Sequence, residues 1–400
     1  MNALKLGWID YSSEHRDKVM AVLHALAEPG AVDELGIGLI RDGFADILFP
    51  GTSTIQTRAK YFFIVPYLLM ELEKDNHSTP KELIEKLGEA EVDLIEILNR
   101  EGSSSGVIGA RAGRKLKRKP SNIYWNGLRT FEIFKHGSLS LDNYAKAIFR
   151  MKNKKDAAKS FGNEETDDAG LVSGEYSSTF WRCILPESNW KDTLSMELTF
   201  DEANFLKGRI TSAEKSKDSL FSFLLSQDSD KLNMINDFEA IGEVFSLPES
   251  IYEDYNKAKR FNKFIAGANI RYNVILSDGE NEEAIQKWSE WLNSSFVEEE
   301  FKSFSYMDII NRLHIKNSKL IIFLREWQKA LLSGDEKTID RLIIKREIEL
   351  KSRDRAKLQN SKNFTYEAGS WVGSSKLQYR FKDAKVIIED IFAGLGDNNA

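Results

Sequence analysis

The chain has 400 residues, of which 42% are hydrophobic and 30% charged, a balance typical of a globular protein with more than one core. Its net charge of −6 neither favours nor excludes nucleic acid as a partner. The single cysteine, Cys183, excludes an internal disulfide framework and a cysteine-rich zinc site. The N-terminus lacks the pattern of a secretory signal, and no apolar stretch has the length of a membrane span. We therefore expect a cytoplasmic protein that has no membrane partner.

Apolar spacing predicts helices over most of the first 150 residues. In order, they are a helix capped by Ser12 or Ser13, one ending at about Phe49, one over about 53–74, and helices starting at Pro80, Pro120 and Ser140. Pro50 and Gly51 separate the second helix from the third, which Pro66 should kink or restart. Thr79 and Glu82 form a capping box. The helix behind that box is predicted to have an acidic outer face made of Glu82, Glu85, Glu89, Glu91, Asp93 and Glu96.

The remainder of the chain is also predicted to be helical, with a second capping box at Thr199 and Glu202. The predicted helices there cover about 248–266, 281–292, 318–332 and 335–358. Strand candidates are few and short, namely 4–9, Ile108 with its neighbours, 180–185 and 377–381.

These patterns predict a mainly α, multi-helical protein of two domains with minor short β elements. One such element could be a winged-helix-like hairpin near 106–120. The predicted organisation is an N-terminal helical domain with a basic loop at 1–152, a linker or loop at 153–178, and a C-terminal helical domain at 179–400.

The sharpest functional signal is a basic run, Arg111–Lys119, with six cations in nine positions: Arg111, Arg114, Lys115, Lys117, Arg118 and Lys119. Such a concentration of positive charge repels itself unless an anion screens it, and nucleic-acid phosphates do so with release of counterions. Downstream, Tyr124 and Trp125 could stack on bases or support the loop, with Arg129 beside them. We therefore predict a nucleic-acid contact. A solvated loop that balances the acidic helix, with Tyr124 and Trp125 in the core, is the alternative.

A second basic region lies at 341–362, where Arg346, Arg353 and Lys357 would share one side of a helix. We predict that these three residues form a second nucleic-acid contact. A solvated helix with internal ion pairs, such as Glu347 with Lys351, explains the region at least as well.

The residues after Gly51 are a candidate anion-binding turn made of Ser53, Thr54, Arg58 and Lys60. Free backbone amides at a helix N-terminus suit an anion, and the two cations would add to the attraction. Ordinary helix capping explains the serine and threonine with fewer assumptions.

Motifs of known catalytic chemistry are absent from the sequence. There is no Walker lysine loop, no Gly-x-Ser-x-Gly elbow and no His-Glu-x-x-His, and the five histidines have no ligand spacing. We therefore predict no catalytic residue, no metal site and no cofactor. One alternative is a metal-dependent nuclease using Asp340, Glu349 and Lys351, since such enzymes need two acids and a lysine to hold the ion and orient water.

Four segments together carry a family resemblance: residues 33–67, GWIDYS at 7–12, PSNIYWNGLRTF at 120–131 and LQYRFKDAKVIIEDIFAGL at 377–395. They resemble a bacterial domain-of-unknown-function family that is associated with phage-defence gene clusters. The genes of that family sit beside helicases, phospholipase-D-like nucleases and methyltransferases. The resemblance spans the whole chain and implies a context, with no assigned chemistry and no catalytic residue.

The two lines of reasoning lead to one expectation: a non-enzymatic nucleic-acid-binding or scaffold subunit of a bacterial anti-phage defence system. It would contact phosphates, of DNA in the first instance, through both basic regions, and its protein partners would be helicase or nuclease subunits. The alternative is an adaptor that docks a helicase or nuclease without touching nucleic acid. Such an adaptor would use the acidic helices at 79–101 and 280–300 and exposed tryptophans such as Trp288 or Trp291.

Overall fold

The computed structural model describes residues 33–75, 79–99, 105–160, 179–360, 370–373 and 376–396, with the backbone alone for 154–160. These residues are mainly helical, which confirms the predicted class. They contain no strand, and the described backbone comes nearest to a sheet in an isolated antiparallel bridge between Phe134 and Trp181. The minor β elements are therefore not confirmed, and the candidate at 4–9 lies outside the described residues.

The chain forms two compact units, and each unit combines two separate chain segments. Unit I comprises the described residues of 33–45 and Ser246–Tyr379, and unit II those of Asp46–Phe245 and 380–396. The predicted linker at 153–178 lies mostly outside the described residues, so a division of the chain at that point stays a prediction.

In chain order, the α-helices are α1 Gly38–Leu48, α2 Tyr61–Leu72, α3 Pro80–Leu98, α4 Pro120–Thr130, α5 Leu141–Ser160, α6 Phe200–Ser212, α7 Leu220–Leu225, α8 Ser229–Asn233, α9 Ile241–Val244, α10 Glu249–Leu276, α11 Glu282–Leu292, α12 Tyr306–Arg312, α13 Ser318–Ser333, α14 Glu336–Lys351 and α15 Phe381–Leu395. Short 3-10 turns lie between some of them, including Gly113–Lys115 and Arg353–Arg355.

Several helices begin at the predicted capping residues. The Thr79 side chain accepts a hydrogen bond from the backbone N–H of Glu82 at the start of α3, behind which Pro80 opens the first turn. At α6, Thr199 and Glu202 form a complete capping box. Because both ends of each box are local in sequence, the sequence alone is sufficient to place these starts. The helix capped by Ser12 or Ser13 lies outside the described residues.

The helix predicted over about 53–74 begins later than expected, at Tyr61, and α2 passes through Pro66 without ending or restarting. The residues before it form turns because side chains take the place of helical hydrogen bonds. The Thr52 hydroxyl donates to the Phe49 carbonyl at 2.6 Å, and the Gln56 amide donates to the Gly51 carbonyl at 3.1 Å.

Helix α2 is the centre of the unit II core. Every side chain of α2 except that of Glu71 is buried, and the helix packs against α3 and α4. The Phe62 ring contacts those of Tyr124 and Phe131, with centroids 5.0 and 5.3 Å apart. Elsewhere in the unit, α15 packs against α6 and α7. Because α3 and α4 share one neighbour, the segment that joins them starts and ends on the same core.

Helix α10 is the centre of unit I and packs against α11 and α14, while α13 packs against α14. Helix α14 ends at Lys351, earlier than the predicted end at 358. At Ser352 the backbone turns to φ 70°, and the N–H groups of Lys357 and Leu358 donate to the Glu347 carboxylate instead of to helical carbonyls. A buried side chain thus ends the helix.

Candidate nucleic-acid interface

The basic run lies on turns between α3 and α4 and does not form a hairpin. Backbone hydrogen bonds link residues three or four apart, such as Ala110 N–H to the Val107 carbonyl and Lys115 N–H to the Ala112 carbonyl. Gly106, Gly109 and Gly113 all adopt positive φ, which closes these turns at low cost. The winged-helix-like hairpin expected near 106–120 is thus replaced by local turns and the 3-10 turn Gly113–Lys115.

The segment that carries the run is fastened to α2 and to the turn before it. Ile108 is buried, and its backbone N–H donates to the Tyr61 hydroxyl at 2.8 Å. The Thr57 hydroxyl donates to the Gly106 carbonyl at 2.5 Å. These two bonds fix the start of the segment while the residues beyond it face solvent.

The cations of the basic run are exposed, apart from the half-buried Lys119. Arg114 forms an ion pair with Asp93 of α3 at 3.4 Å, but both side chains stay open to solvent, at 78% and 62% exposure. Arg111, Lys115 and Lys117 form no ion pair with any described residue. The structure therefore displays most of this charge in water, where an anion can reach it.

Tyr124 and Trp125 lie inside the core at 0% and 7% exposure, so their rings are not available to stack on bases. The Tyr124 hydroxyl accepts hydrogen bonds from the backbone N–H groups of Thr57 and Arg58 and donates to the Arg58 carbonyl, at 2.8–3.1 Å. The Trp125 indole N–H donates to the Leu139 carbonyl at 3.0 Å. Both residues therefore occupy the core, as in the alternative interpretation of the sequence.

Arg129 sits near the end of α4 and is half-buried. Its guanidinium donates to the Gly137 carbonyl at 3.4 Å. That bond holds the chain after α4, so Arg129 has a structural partner whether or not it meets a phosphate.

Glu91 joins the end of the basic run to α3, a role that sequence reasoning missed. The predicted acidic outer face included Glu91, but this side chain is buried and accepts hydrogen bonds from the Ser121 backbone N–H and hydroxyl at the start of α4. Burial raises the pKa of Glu91 to about 7, against the hydrogen bonds from Ser121 and the nearby charge of Lys119. Its spacing of four from Leu87 and from Ile95, both buried, is the signal that could have placed it on the inner face.

The second basic region does not present the three predicted residues as one surface. Arg346 is buried and donates to the carbonyls of Leu35 and Gly36 at 2.8 and 3.3 Å. Lys357 lies within 3.2 Å of the buried carboxylate of Glu34. Of the three, Arg353 alone is fully exposed. A buried guanidinium that satisfies backbone carbonyls cannot also contact a phosphate, so Arg346 holds the turn before α1.

A buried network in unit I takes up the charge around Lys351, which pairs with both Glu34 and Glu347. The Tyr272 hydroxyl donates to Glu347 at 2.6 Å. The structure therefore shows the Glu347–Lys351 ion pair of the alternative interpretation, but in a buried network and not on a solvated helix surface.

The geometry of α14 does not bring together the three residues of the nuclease alternative. Asp340 and Glu349 are nine residues apart on one helix and therefore point about 180° apart. Asp340 is bonded to Arg271 at 2.6 Å, while Lys351 faces Glu34 and Glu347. The three side chains diverge, and no group of three His, Cys, Asp or Glu side chains in the described part of the chain is placed to hold a metal ion.

The candidate anion-binding turn is neutralised from within unit II. Arg58 pairs with Asp390 at 2.9 Å, and Lys60 pairs with Glu202 at 2.7 Å in a buried site. Ser53 and Thr54 precede a turn and do not start a helix, because α2 begins at Tyr61. Because both cations are paired with carboxylates, these residues of the turn stabilise the core of unit II.

The tryptophans considered for protein docking, Trp288 and Trp291, are buried on α11 and stack on each other at 5.4 Å. The Trp291 indole N–H donates to the Lys263 carbonyl at 2.9 Å. Both rings belong to the core of unit I and are not available to a partner. No described helix combines the length and the apolar character that crossing a membrane requires.

Comparison with known proteins yields one match. Neither the curated proteins nor the solved structures include a match to this chain. Residues 3–285 match the model of a family of unknown function, DUF6361, which covers more than half of the sequence and includes the whole basic run. The chain therefore belongs to DUF6361, a family of unknown function.

Proposed function

We propose that the chain binds nucleic acid through the phosphate backbone, using the basic run as its contact, and acts as a non-enzymatic binding or scaffold subunit. The observation that supports this proposal is the exposure of the run. Arg111, Lys115 and Lys117 stay unpaired among the described residues of a chain whose net charge is −6. Cations held in this way are screened best by a polyanion, which releases its counterions on binding.

The contact set is narrower than the sequence suggested. Among the described cations it consists of Arg111, Arg114, Lys115, Lys117 and Arg118, with Lys119 at the edge and Arg353 as the exposed member of the second basic region. Arg346, Lys357, Arg58 and Lys60 are not part of it, since each is bonded to carbonyl or carboxylate oxygens.

The experiment is a fluorescence-anisotropy titration of labelled duplex DNA with the wild-type chain and with the triple variant R111A/K115A/K117A, over a series of salt concentrations. We expect the variant to bind more weakly. The slope of log affinity against log salt should fall in magnitude by about 0.9 for each lost cation that contacts a phosphate. Because all three side chains are exposed, the variant should unfold at the same temperature as the wild type.

The matched control is K81A/K217A/K329A, which removes the same charge from exposed positions that are each paired with a neighbouring glutamate. We expect this control to titrate as the wild type does. If R111A/K115A/K117A also titrates as the wild type at low salt, the run is ordinary surface and the proposal fails.

An adaptor role remains the second candidate because α3 carries a stripe of exposed carboxylates, Glu85, Glu89, Asp93 and Glu96, along its outer face. Spacings of four, four and three residues place them on one side of the helix, where a basic partner could bind. Capture of a helicase or nuclease subunit that survives high salt and nuclease digestion, and that is lost in E85K/E89K, would favour this role over nucleic-acid binding.

The defence setting is proposed from the family resemblance of the sequence alone. If the chain serves a defence system, then deleting its gene from the strain that carries it should raise the efficiency of plaque formation by phage. Restoration by the wild-type gene but not by the R111A/K115A/K117A gene would connect that setting to the basic run. Unchanged plaque formation would separate the chain from defence without affecting the binding proposal.

A further inference from the structure

The basic run offers a nucleic acid charge and little else. Between residues 105 and 130, the exposed side chains are five cations of the run together with Ser105, Ala112, Asn122 and Asn126. No aromatic ring in this stretch is exposed. Proteins that prefer single strands use exposed aromatic rings as platforms on which unpaired bases stack. The run therefore lacks the feature that would favour a single strand.

The helix that follows the run is seated too deeply to read bases. Base edges in the major groove are read by a helix or ribbon that protrudes into the groove. Eight of the eleven residues of α4 are buried, and a Cβ added at Gly127 would lie 2.7 Å from the Gly51 carbonyl oxygen. Among the residues of α4, this packing leaves only the short side chains of Asn122 and Asn126 exposed to a groove.

The turns of the run do not provide a reading element either. Their backbone groups are hydrogen-bonded to one another over three or four residues, and the one regular element among them is the single turn Gly113–Lys115. The cations therefore project from a compact loop. Long cationic side chains on such a loop reach phosphates, which carry no sequence information.

We infer that the basic run recognises the charge of the nucleic-acid backbone and not its bases, so that its substrate class is duplex nucleic acid of any sequence. This inference rests on the proposed function. The duplex is favoured over the single strand because its phosphates are more densely spaced and release more counterions per contact, about 0.9 against about 0.7.

The test uses the full chain and four labelled DNA probes of equal length: an A·T-rich duplex, a G·C-rich duplex, a mixed duplex and a single strand. Anisotropy titrations over a salt series should give duplex affinities within about twofold of one another. The single strand should bind more weakly and with a shallower salt slope. A base contact would instead separate the duplexes by about tenfold or more.

Two variants locate the contact. N122A/N126A removes the exposed amides of α4, and we expect its affinity for every probe to stay within about twofold of the wild type. R111A/K115A/K117A should weaken binding to all three duplexes by the same factor.

The outcomes separate the two claims. A preference among duplexes, a selective loss in N122A/N126A, or a single strand bound as tightly as duplex would overturn this inference and leave the proposed function standing. Binding to no probe at low salt, or binding that R111A/K115A/K117A leaves unchanged, would overturn the proposed function itself.

Discussion

The cations of the basic run lie on turns between α3 and α4, whereas those of the second basic region lie on α14 and the turn after it. In the basic run, Arg114 forms an ion pair with Asp93 at the surface. In the second basic region, Lys345 and Arg346 both lie within 4.0 Å of Glu349. Lys351 faces Glu34 and Glu347 in the interior.

The difference shows how the local element decides whether a cation stays available. A helix brings acids three and four residues away into contact with its cations, and α14 contains such acids. The nine residues of Arg111–Lys119 contain no Asp or Glu, and the ion pair between Arg114 and Asp93 is made with the neighbouring helix α3. Similar numbers of cations in sequence thus give a charged surface in one region and a neutralised network in the other.

In the second basic region, a substitution at Glu347 should strongly destabilise unit I. Glu347→Ala removes the acceptor of Tyr272, Lys351 and two backbone N–H groups, all around a fully buried carboxylate. Lys351 keeps Glu34 as a partner, but the other donors lose this acceptor in the interior, which should lower the free energy of unfolding by about 4 kcal/mol. Urea denaturation of the wild type and the variant measures this change in the free energy of unfolding.

The matched control is Glu349→Ala, an exposed acid half a turn further along the same helix. It should change the free energy of unfolding by less than about 0.5 kcal/mol. Equal effects of the two substitutions would mean that the network does not hold unit I together.

A second prediction concerns the pH dependence of stability that arises from Glu91, which links α3 to the start of α4. Its pKa is raised to about 7 by burial, from 4.5, so the folded state binds this proton more tightly than the unfolded state does. The stabilisation is complete below about pH 4.5 and is lost as pH rises through about 7, a total of roughly 3 kcal/mol.

Glu91→Gln cannot titrate, and it should remove this pH dependence. Denaturant unfolding of both proteins at pH 5 and pH 8 checks the prediction. The wild type should lose more stability than the variant between those two values, and parallel losses would count against a buried proton at this position.

In the basic run, we expect a small effect on duplex affinity from the ion pair between Arg114 and Asp93. Asp93→Asn removes the carboxylate that competes with phosphate for Arg114. Since the pair is exposed and such pairs are weak, we expect duplex affinity to rise by only about twofold, measured by anisotropy at low salt. The control is Glu85→Gln, which makes the same charge change two turns away on the same face of α3 and should raise duplex affinity less. An equal rise in affinity would mean that net charge, and not this ion pair, is responsible.

Much of the fold follows from local sequence. The capping residues Thr79 and Thr199 place α3 and α6, and apolar spacing places α11 and α13 within a residue or two. Exposure of the basic run also follows from a local property, because that stretch has no acid of its own. Local rules succeed where the partner of a residue lies within one turn.

The predictions for Arg58, Lys60 and Arg346 fail for the opposite reason. Lys60 is neutralised by Glu202, and two of the carbonyls that accept from Arg346 lie more than 300 positions away in sequence. The patterns used to predict local structure span only a few turns, so they cannot include both members of such a pair. Glu91 was misplaced because a glutamate on a helix is usually solvated, and only tertiary packing shows that the start of α4 needs an acceptor there.

The fastening of the loop at Tyr61 and at Glu91 has a consequence for the kinetics of association. A segment already tied at both ends, with its turns closed by their own backbone, has little freedom left to lose when it meets a ligand. Encounter is then governed by long-range attraction between opposite charges, so association should be fast and strongly slowed by salt. Preorganisation of this kind would lower the entropic cost of the proposed nucleic-acid contact.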